Sequence, residues 1–384
     1  MHRRARFRAG HLLLLLLAFG LRAFPVPAEP SGKRLLLTFL GDIMAHEVNF
    51  QAPDYAAAYR PVRWLLERDT LTFANLESPV VPGRACSSFP SFNVGPGYLR
   101  AALEAGIEVF SLANNHAYDQ GPEGVASTLE SVRAAGRSSF RRIYCSGTRP
   151  DPTEPFRPVE ITADGARIGF LAATQALNLP EPRGYVLRVD YQVEEEVEAF
   201  LELLRPLAAR YDLFVLSYHG GREYARQPEA ARRRFFHRLL EAGVDIVYGH
   251  HPHVPQGYEL VERAEGRGLV LYSAGNFISG MTWPLGPDEP DAEQAWTGDS
   301  LLWVVSVRLG AGGCSVERVW PVPITNVRDP QGVMVVSTFP GLALQGLSDP
   351  WASFYRERSR QLQELLRSWE PLAVDPHRAG LVPY

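Results

Sequence analysis

"VDIVYGHHPHVPQ", residues 244–256, runs from an apolar stretch straight into His250, His251 and His253. Only 10 histidines occur in the 384 residues, so three within four positions is a concentration to be explained. The stretch 244–248 is short, rich in Val and Ile, and closed by Gly249, which is how a buried strand reads. The histidines then sit just past the carboxyl end of that strand. The same arrangement recurs along the chain. "RLLLTFL" (34–40) leads into "GDIMAH" (41–46), "TLTFA" (70–74) into "NLESP" (75–79), and "IEVFSLA" (107–113) into "NNHAYD" (114–119). "DLFVLSY" (212–218) leads into "HGGREY" (219–224), and "GLVLYSA" (268–274) into "GNF" (275–277).

Between these runs lie segments with apolar residues at three- and four-residue spacing, the pattern of helices with one buried face. They cover 55–69 (interrupted by Pro61), 95–106, 121–136, 193–211 and 228–243, with a C-terminal helix expected near 349–370. Alternating strand and helix predicts an α/β fold with a mainly parallel or mixed sheet and helices on its faces. Ligands of such sheets bind beyond the carboxyl ends of the strands. Residues 301–309 and 314–324 read as a further strand pair, a hairpin across "GAGG", and 281–299 as a polar loop beside the site.

The first 28 residues read differently. A basic stretch with Arg3, Arg4, Arg6 and Arg8 precedes "HLLLLLLAFGL" and the small-residue pattern "VPA" at 26–28. That is the layout of a secretory signal peptide, so the chain is expected to be exported: periplasmic, extracellular, or held at the membrane if the segment stays uncleaved. Loss of residues 1–28 and their arginines would move the formal charge from −4 to −9, which excludes a basic nucleic-acid footprint. Cys86, Cys145 and Cys314 allow at most one internal disulfide and match no metal-binding spacing.

The strand ends together supply Asp42, His46, Asn75, Glu77, Asn114, Asn115, His116, Asp119, His219, Glu223, His250, His251, His253 and Asn276. Imidazole, carboxylate and amide oxygen without thiolate form the ligand set of Mn, Fe or Zn, bound as one or two divalent ions. A closed structural zinc site would call for cysteines. Several of these residues also have plainer readings. Asp119 reads best as an N-cap for the helix near Gly121, while for Glu223 a pairing with Arg222 or Arg226, and for Asn114 and Asn115 a turn, stand as alternatives to a site role. Gly275–Asn276 reads as a tight turn, with Asn276 expected at the pocket wall, and His46 reads equally well as a hydrogen-bonded histidine.

The motifs "GDIMAH", "NLESPV", "ANNHAYDQGPEG", "HGGREY", "GHHPHV" and "YSAGNF", in that order over about residues 35–280, resemble the CapA family, the poly-γ-glutamate capsule-synthesis proteins. That family is similar to calcineurin-like metallophosphatases, which implies a metallophosphoesterase-type β-sandwich flanked by helices. On this resemblance 33–325 form the metallophosphatase-like domain and 326–384 a C-terminal extension. It implies Asp42, Glu77, Asn115, His219, His251 and His253 as metal ligands, with Glu77 in the bridging position and His116 as the neighbouring acid or stabiliser. The chain departs from the metallophosphatase pattern twice. Asp42 and His46 are separated by three residues where Asp-x-His is usual, and "NLE" replaces "GDxxD". His251 is favoured over His250 as the partner of His253, because alternate residues of an extended segment point the same way; His250 then has a supporting role. The implied function is a metal-dependent hydrolase acting on an anionic polymer such as poly-γ-glutamate, or on a phosphoester. The alternative is a non-catalytic component of a membrane-bound synthesis complex.

Overall fold

A computed structural model describes residues 32–264, 266–310, 313–330 and 332–369; the expected signal segment lies outside them. Two mixed sheets face each other. The first contains β1 (Lys33–Ile43), β2 (Leu71–Leu76), β3 (Val109–Ser111) and β4 (Tyr144–Ser146) in parallel. The second contains β5 (Val159–Ala163), β6 (Ala166–Thr174), β7 (Leu213–His219), β8 (Ile246–His250), β9 (Pro255–Arg263) and β10 (Gly266–Ala274), in the order β5-β6-β7-β8-β10-β9. Within it β6, β7, β8 and β10 run parallel, while β5 and β9 are antiparallel edges. The chain then returns to the first sheet. β11 (Asn276–Ile278) pairs with β1, and β12 (Asp299–Gly310), β13 (Gly313–Arg328) and β14 (Met334–Thr338) complete the order β14-β13-β12-β1-β2-β3-β4. The hairpin expected from residues 301–324 is β12–β13, longer at both ends.

Alternation along the strands explains why they read as continuous apolar runs. Leu35, Leu37 and Phe39 of β1 point into the space between the sheets, while Leu36 and Leu40 point to the outer face. In β7, Leu213 and Val215 point inward, and Phe214 and Leu216 outward. Both faces are buried, so no polar alternation survives. Phe39, Phe73, Phe170, Tyr248 and Trp303 fill the space between the sheets.

Short helices α1 (Glu47–Phe50) and α2 (Arg63–Leu66) follow β1. The outer face of the first sheet is covered by α3 (Pro96–Ala105) and α4 (Gly121–Ser138), that of the second by α5 (Glu194–Ala208) and α6 (Ala230–Glu241). In α5, Val197, Phe200, Leu201, Leu204 and Ala208 form the buried stripe, with Glu194, Glu195 and Glu196 at the positive end of the helix dipole. The fold is thus the sandwich flanked by helices that the resemblance implied. The helix expected over 55–69 is broken, as Pro61 requires, into a 3-10 turn at Tyr55–Ala58 and the single turn of α2.

The C-terminal helix, α7 (Asp349–Arg367), is fastened to β12: Arg358 donates to Asp299 in a fully buried ion pair at 2.6 Å. All three cysteines are free. None of the described helices is long and apolar enough to cross a membrane.

Candidate metal centre

Strand register lines the polar residues into two facing rows. In the first sheet Asp42 is level with Asn276 on one side and Asn75 on the other. In the second, Thr174, His219 and His250 are level on β6, β7 and β8. Two glycines permit this packing. A Cβ on Gly41 would lie 1.8 Å from the Gly275 carbonyl oxygen, and one on Gly249 2.3 Å from that of Tyr272, so the residue preceding each site side chain must be glycine.

Across the gap the rows touch. His250 Nδ1 lies 2.8 Å from Asp42 Oδ1, and Asn75 donates to Asp42 Oδ1 at 2.9 Å and to Glu77 Oε2 at 3.1 Å. The same Asn75 amide is 3.3 Å from His219 Nδ1, and Asn114 donates to Asn75 Oδ1 at 3.1 Å. His219 Nε2 meets Asn115 Oδ1 at 2.8 Å and His251 Nδ1 at 3.0 Å. His253 Nδ1 lies 2.9 Å from Asn276 Oδ1 and 3.3 Å from Asp42 Oδ2. Two ligand groups result, Asp42–Glu77–His219 and Glu223–His251–His253, each with its donor atoms within 4.8 Å of one another.

The fit to divalent cations can be judged from what is left unpaired. Asp42 Oδ2 and Glu77 Oε1 are buried and accept no hydrogen bond among the described residues. Glu77 Oε1 is 3.6 Å from His219 Nε2 and 3.9 Å from His253 Nε2. Two buried carboxylates with free oxygens aimed at imidazoles need positive charge between them. Burial, then the Asp42 charge, push the Glu77 carboxyl well above its ordinary range. Burial also works against Asp42, but the hydrogen bond and charge of His250, with His253 beside it, hold it well below. His219 is held neutral by burial and by His251, and His251 is pushed down to about 3 by burial and His253, the ligating form of imidazole. His253 is drawn up to about 9: burial opposes its charge, but Glu77 and Asp42 outweigh it. An oxygen- and nitrogen-only donor set of this kind fits a divalent cation.

The structure corrects several expectations. Asp119 does not cap α4, whose N-cap is Gln120; Asp119 Oδ2 instead lies 2.7 Å from His116 Nδ1 and accepts from the Phe92 backbone at 2.8 Å. Glu223 approaches His251 at 4.0 Å, not a neighbouring arginine. The segment carrying His251 and His253 is not extended. β8 ends at His250, and both residues have positive φ (93° and 58°), so a strained turn, not strand alternation, brings their rings together. For His46, which the sequence leaves open between ligand and hydrogen-bonded histidine, the structure shows a hydrogen bond, Nδ1 accepting from Gly280 N–H at 3.1 Å; burial drives its pKa down to about 4. Asn276 belongs to the cluster through His253 and is itself fixed by Thr297 O at 3.0 Å.

Two residues were missed. Asn178 Oδ1 accepts from the Asn115 amide at 3.3 Å, and the Asn178 amide nitrogen lies 3.3 Å from both ring nitrogens of His116. It follows β6, whose run "ARIGFLAAT" ends in "QALN" by the same strand-then-polar rule, so the signal was present. Arg232 on α6 is buried without a carboxylate and donates to the backbone oxygens of His250 (3.2 Å) and Tyr272 (2.8 Å) and to Gln256 (3.0 Å). No sequence pattern separates it from the exposed arginines beside it.

Residues 36–281 match the family described as bacterial capsule synthesis protein PGA_cap. The chain is similar to capsule biosynthesis protein CapA of Bacillus anthracis, with 25% identity over 78% of this chain and 72% of that protein. It is also similar to PGA biosynthesis protein CapA of Bacillus subtilis, with 22% identity over 65% of this chain and 64% of that protein. Among solved structures, the calcineurin-like phosphoesterase YfkN from Bacillus subtilis aligns over 89% of this chain and 100% of its own, at 11% identity and a TM-score of 0.43. With the family match extending over more than half of its length, this chain belongs to the PGA_cap family of bacterial capsule synthesis proteins.

Proposed function

We propose that the chain is an exported, metal-dependent hydrolase acting on a phosphoester or amide bond in the synthesis, release or export of poly-γ-glutamate or a related envelope polymer. The observation that carries this reading is the pair of buried, unpaired oxygens, Asp42 Oδ2 and Glu77 Oε1, facing His219 and His253. Asp42, Glu77, His219, His251 and His253 would hold one or two divalent ions, with Asn115 and Glu223 at their edge. Such ions supply Lewis acidity and lower the pKa of a coordinated water. Asn75 holds Asp42 and Glu77 in place from below, and Asn114 holds Asn75. His116 Nδ1 lies 2.7 Å from Asp119 Oδ2, and in this reading His116 would exchange a proton with the leaving group. Export rests on the basic-then-apolar pattern of residues 1–28. The family name and the relatives' names support the polymer setting.

The test is metal analysis of the purified protein, followed by assays with Mn, Fe or Zn on phosphomonoesters, phosphodiesters and poly-γ-glutamate. Bound metal lost in His219→Ala, His251→Ala and His253→Ala, together with turnover, supports the reading. A protein that binds no metal, or stays inactive with every metal, refutes it and leaves a non-catalytic role in a synthesis complex.

A further inference from the structure

His253 has two ring nitrogens, and a metal can take only one that carries no proton. Its Nδ1 lies 2.9 Å from Asn276 Oδ1, and its Nε2 lies 3.9 Å from Glu77 Oε1, one of the two unpaired carboxylate oxygens. The oxygen and nitrogen of an amide have nearly the same shape, so which end faces His253 follows from the partners of the other end. The Asn276 nitrogen lies 3.0 Å from Thr297 O and 3.3 Å from Met281 Sδ. A carbonyl oxygen and a thioether sulfur accept and cannot donate, so the amide N–H groups must face them. Oδ1, an acceptor only, is then the end that meets His253, and Nδ1 must be the donor.

The partners of that amide are themselves tied down. Thr297 lies in the 3-10 turn Glu293–Gly298, where its hydroxyl donates to Gln294 O at 2.7 Å. Asn326 of β13 donates to both Asn276 O (3.3 Å) and Gly298 O (3.2 Å), which clips β11 to this turn. Thr297 and Asn326 both lie beyond residue 281, where the family match ends. A second acceptor stands beside the ring: Asp42 Oδ2 is 3.3 Å from the same Nδ1 and makes no hydrogen bond. With the Asn276 oxygen nearer, the Nδ1 proton goes to the amide and Asp42 Oδ2 stays open.

We infer that Asn276 is a positioning residue of the metal centre: it holds a proton on His253 Nδ1, so that Nε2 is the ligating atom and Asp42 Oδ2 is kept free for the ion. The segment after residue 281 sets this arrangement through Thr297 O. The inference rests on the metal-binding part of the function proposed above, but the place of the proton is readable without metal and without turnover.

The probe is Zn, which is diamagnetic, added to the full chain carrying isotope-labelled histidines and followed by NMR. The His253 signals are identified by their loss in His253→Gln. In the metal-free chain Nδ1 should be protonated, whether the ring holds one proton or two. With Zn bound, Nδ1 should keep its proton and Nε2 should carry the ion. A bare Nδ1 in the metal-free chain overturns the inference; Zn on Nδ1 overturns it too, while leaving the metal centre standing. Asn276→Leu is similar in size but offers no acceptor, so the Nδ1 proton turns to Asp42 Oδ2. Its resonance should move, and Zn affinity, read by competition with a chromophoric chelator, should fall about 10- to 100-fold. Unchanged affinity, or an unmoved resonance whatever the affinity, overturns the positioning role. If the leucine variant does not fold, the spectra of the unsubstituted chain still decide. A protonated Nδ1 in a chain that takes up no Zn refutes the metal centre and keeps the Asn276–His253 contact as assigned.

Discussion

Arg232→Met is the substitution whose outcome follows most directly from the structure. The guanidinium is fully buried, has no carboxylate partner, and satisfies His250 O, Tyr272 O and Gln256 Oε1, while its plane lies 4.8 Å from the Phe236 ring. Methionine matches the stem and leaves Tyr272 O and Gln256 Oε1 without the guanidinium donor, at about 2 kcal/mol each, and removes one of two donors to His250 O, which keeps the Gly220 N–H, at about 1 kcal/mol, a gross loss of about 5 kcal/mol. Against this stands the relief of a buried charge. Burial lowers the Arg232 pKa to about 10, and a shift of that size corresponds to about 3 kcal/mol. The net expectation is a loss of about 2 kcal/mol, read as a shift in the urea midpoint by tryptophan fluorescence at constant slope. Because His250 O anchors the turn bearing His251 and His253, metal affinity should fall about 10- to 100-fold as well. A stability loss below about 1 kcal/mol would refute the reasoning, because it would mean the carbonyls find other donors. Gln256→Ala alone should cost about 1 kcal/mol, and its effect should shrink in the Arg232→Met background, as expected of residues in one network.

Three further outcomes are expected. Glu77→Gln should stabilise the chelator-treated protein by about 1–2 kcal/mol in thermal unfolding, since it removes one of two facing buried carboxylates, and should abolish the stabilisation that added metal gives. Burial raises the Glu108 carboxyl to about 7, so the folded chain keeps a proton that the unfolded chain releases near its ordinary value. The stability this group contributes is full at low pH and declines as pH climbs towards 7; Glu108→Gln should therefore gain on the unsubstituted chain by up to about 3 kcal/mol between pH 4.5 and 8, measured by urea unfolding at each pH. Arg358→Met strands Asp299 in the core and should cost about 3–5 kcal/mol, partly recovered in Asp299→Asn/Arg358→Met; no recovery would mean the pair is not the anchor of α7.

Legibility in the sequence varied with the physical origin of each feature. Strands such as β1, β7 and β8 were readable because burial on both faces demands an unbroken apolar run. β5 and β6 obey the same rule, but the solvent-exposed side of the β5 edge dilutes the run, and Asn178 was lost with them. Asp119 was misread because a carboxylate two residues before a helix is locally indistinguishable from a cap; its true partners, His116 and Phe92, differ in that only one is near in sequence. The convergence of His251 and His253 had the wrong cause attached to it, since two left-handed residues cannot be read from "HHPH".

The chain by itself determined the alternation of the main strands and helices, the placement of polar motifs at strand ends, and the chemical type of the ligand set. These depend on periodicity and residue chemistry, which are local. Only the tertiary structure decided which of those residues meet. The register that levels Asp42 with Asn75 and Asn276, the close packing at Gly41 and Gly249, and the buried Arg232 beneath His250 all arise between elements far apart in sequence. Pairing across two sheets is set by how their faces pack, and no local pattern encodes it.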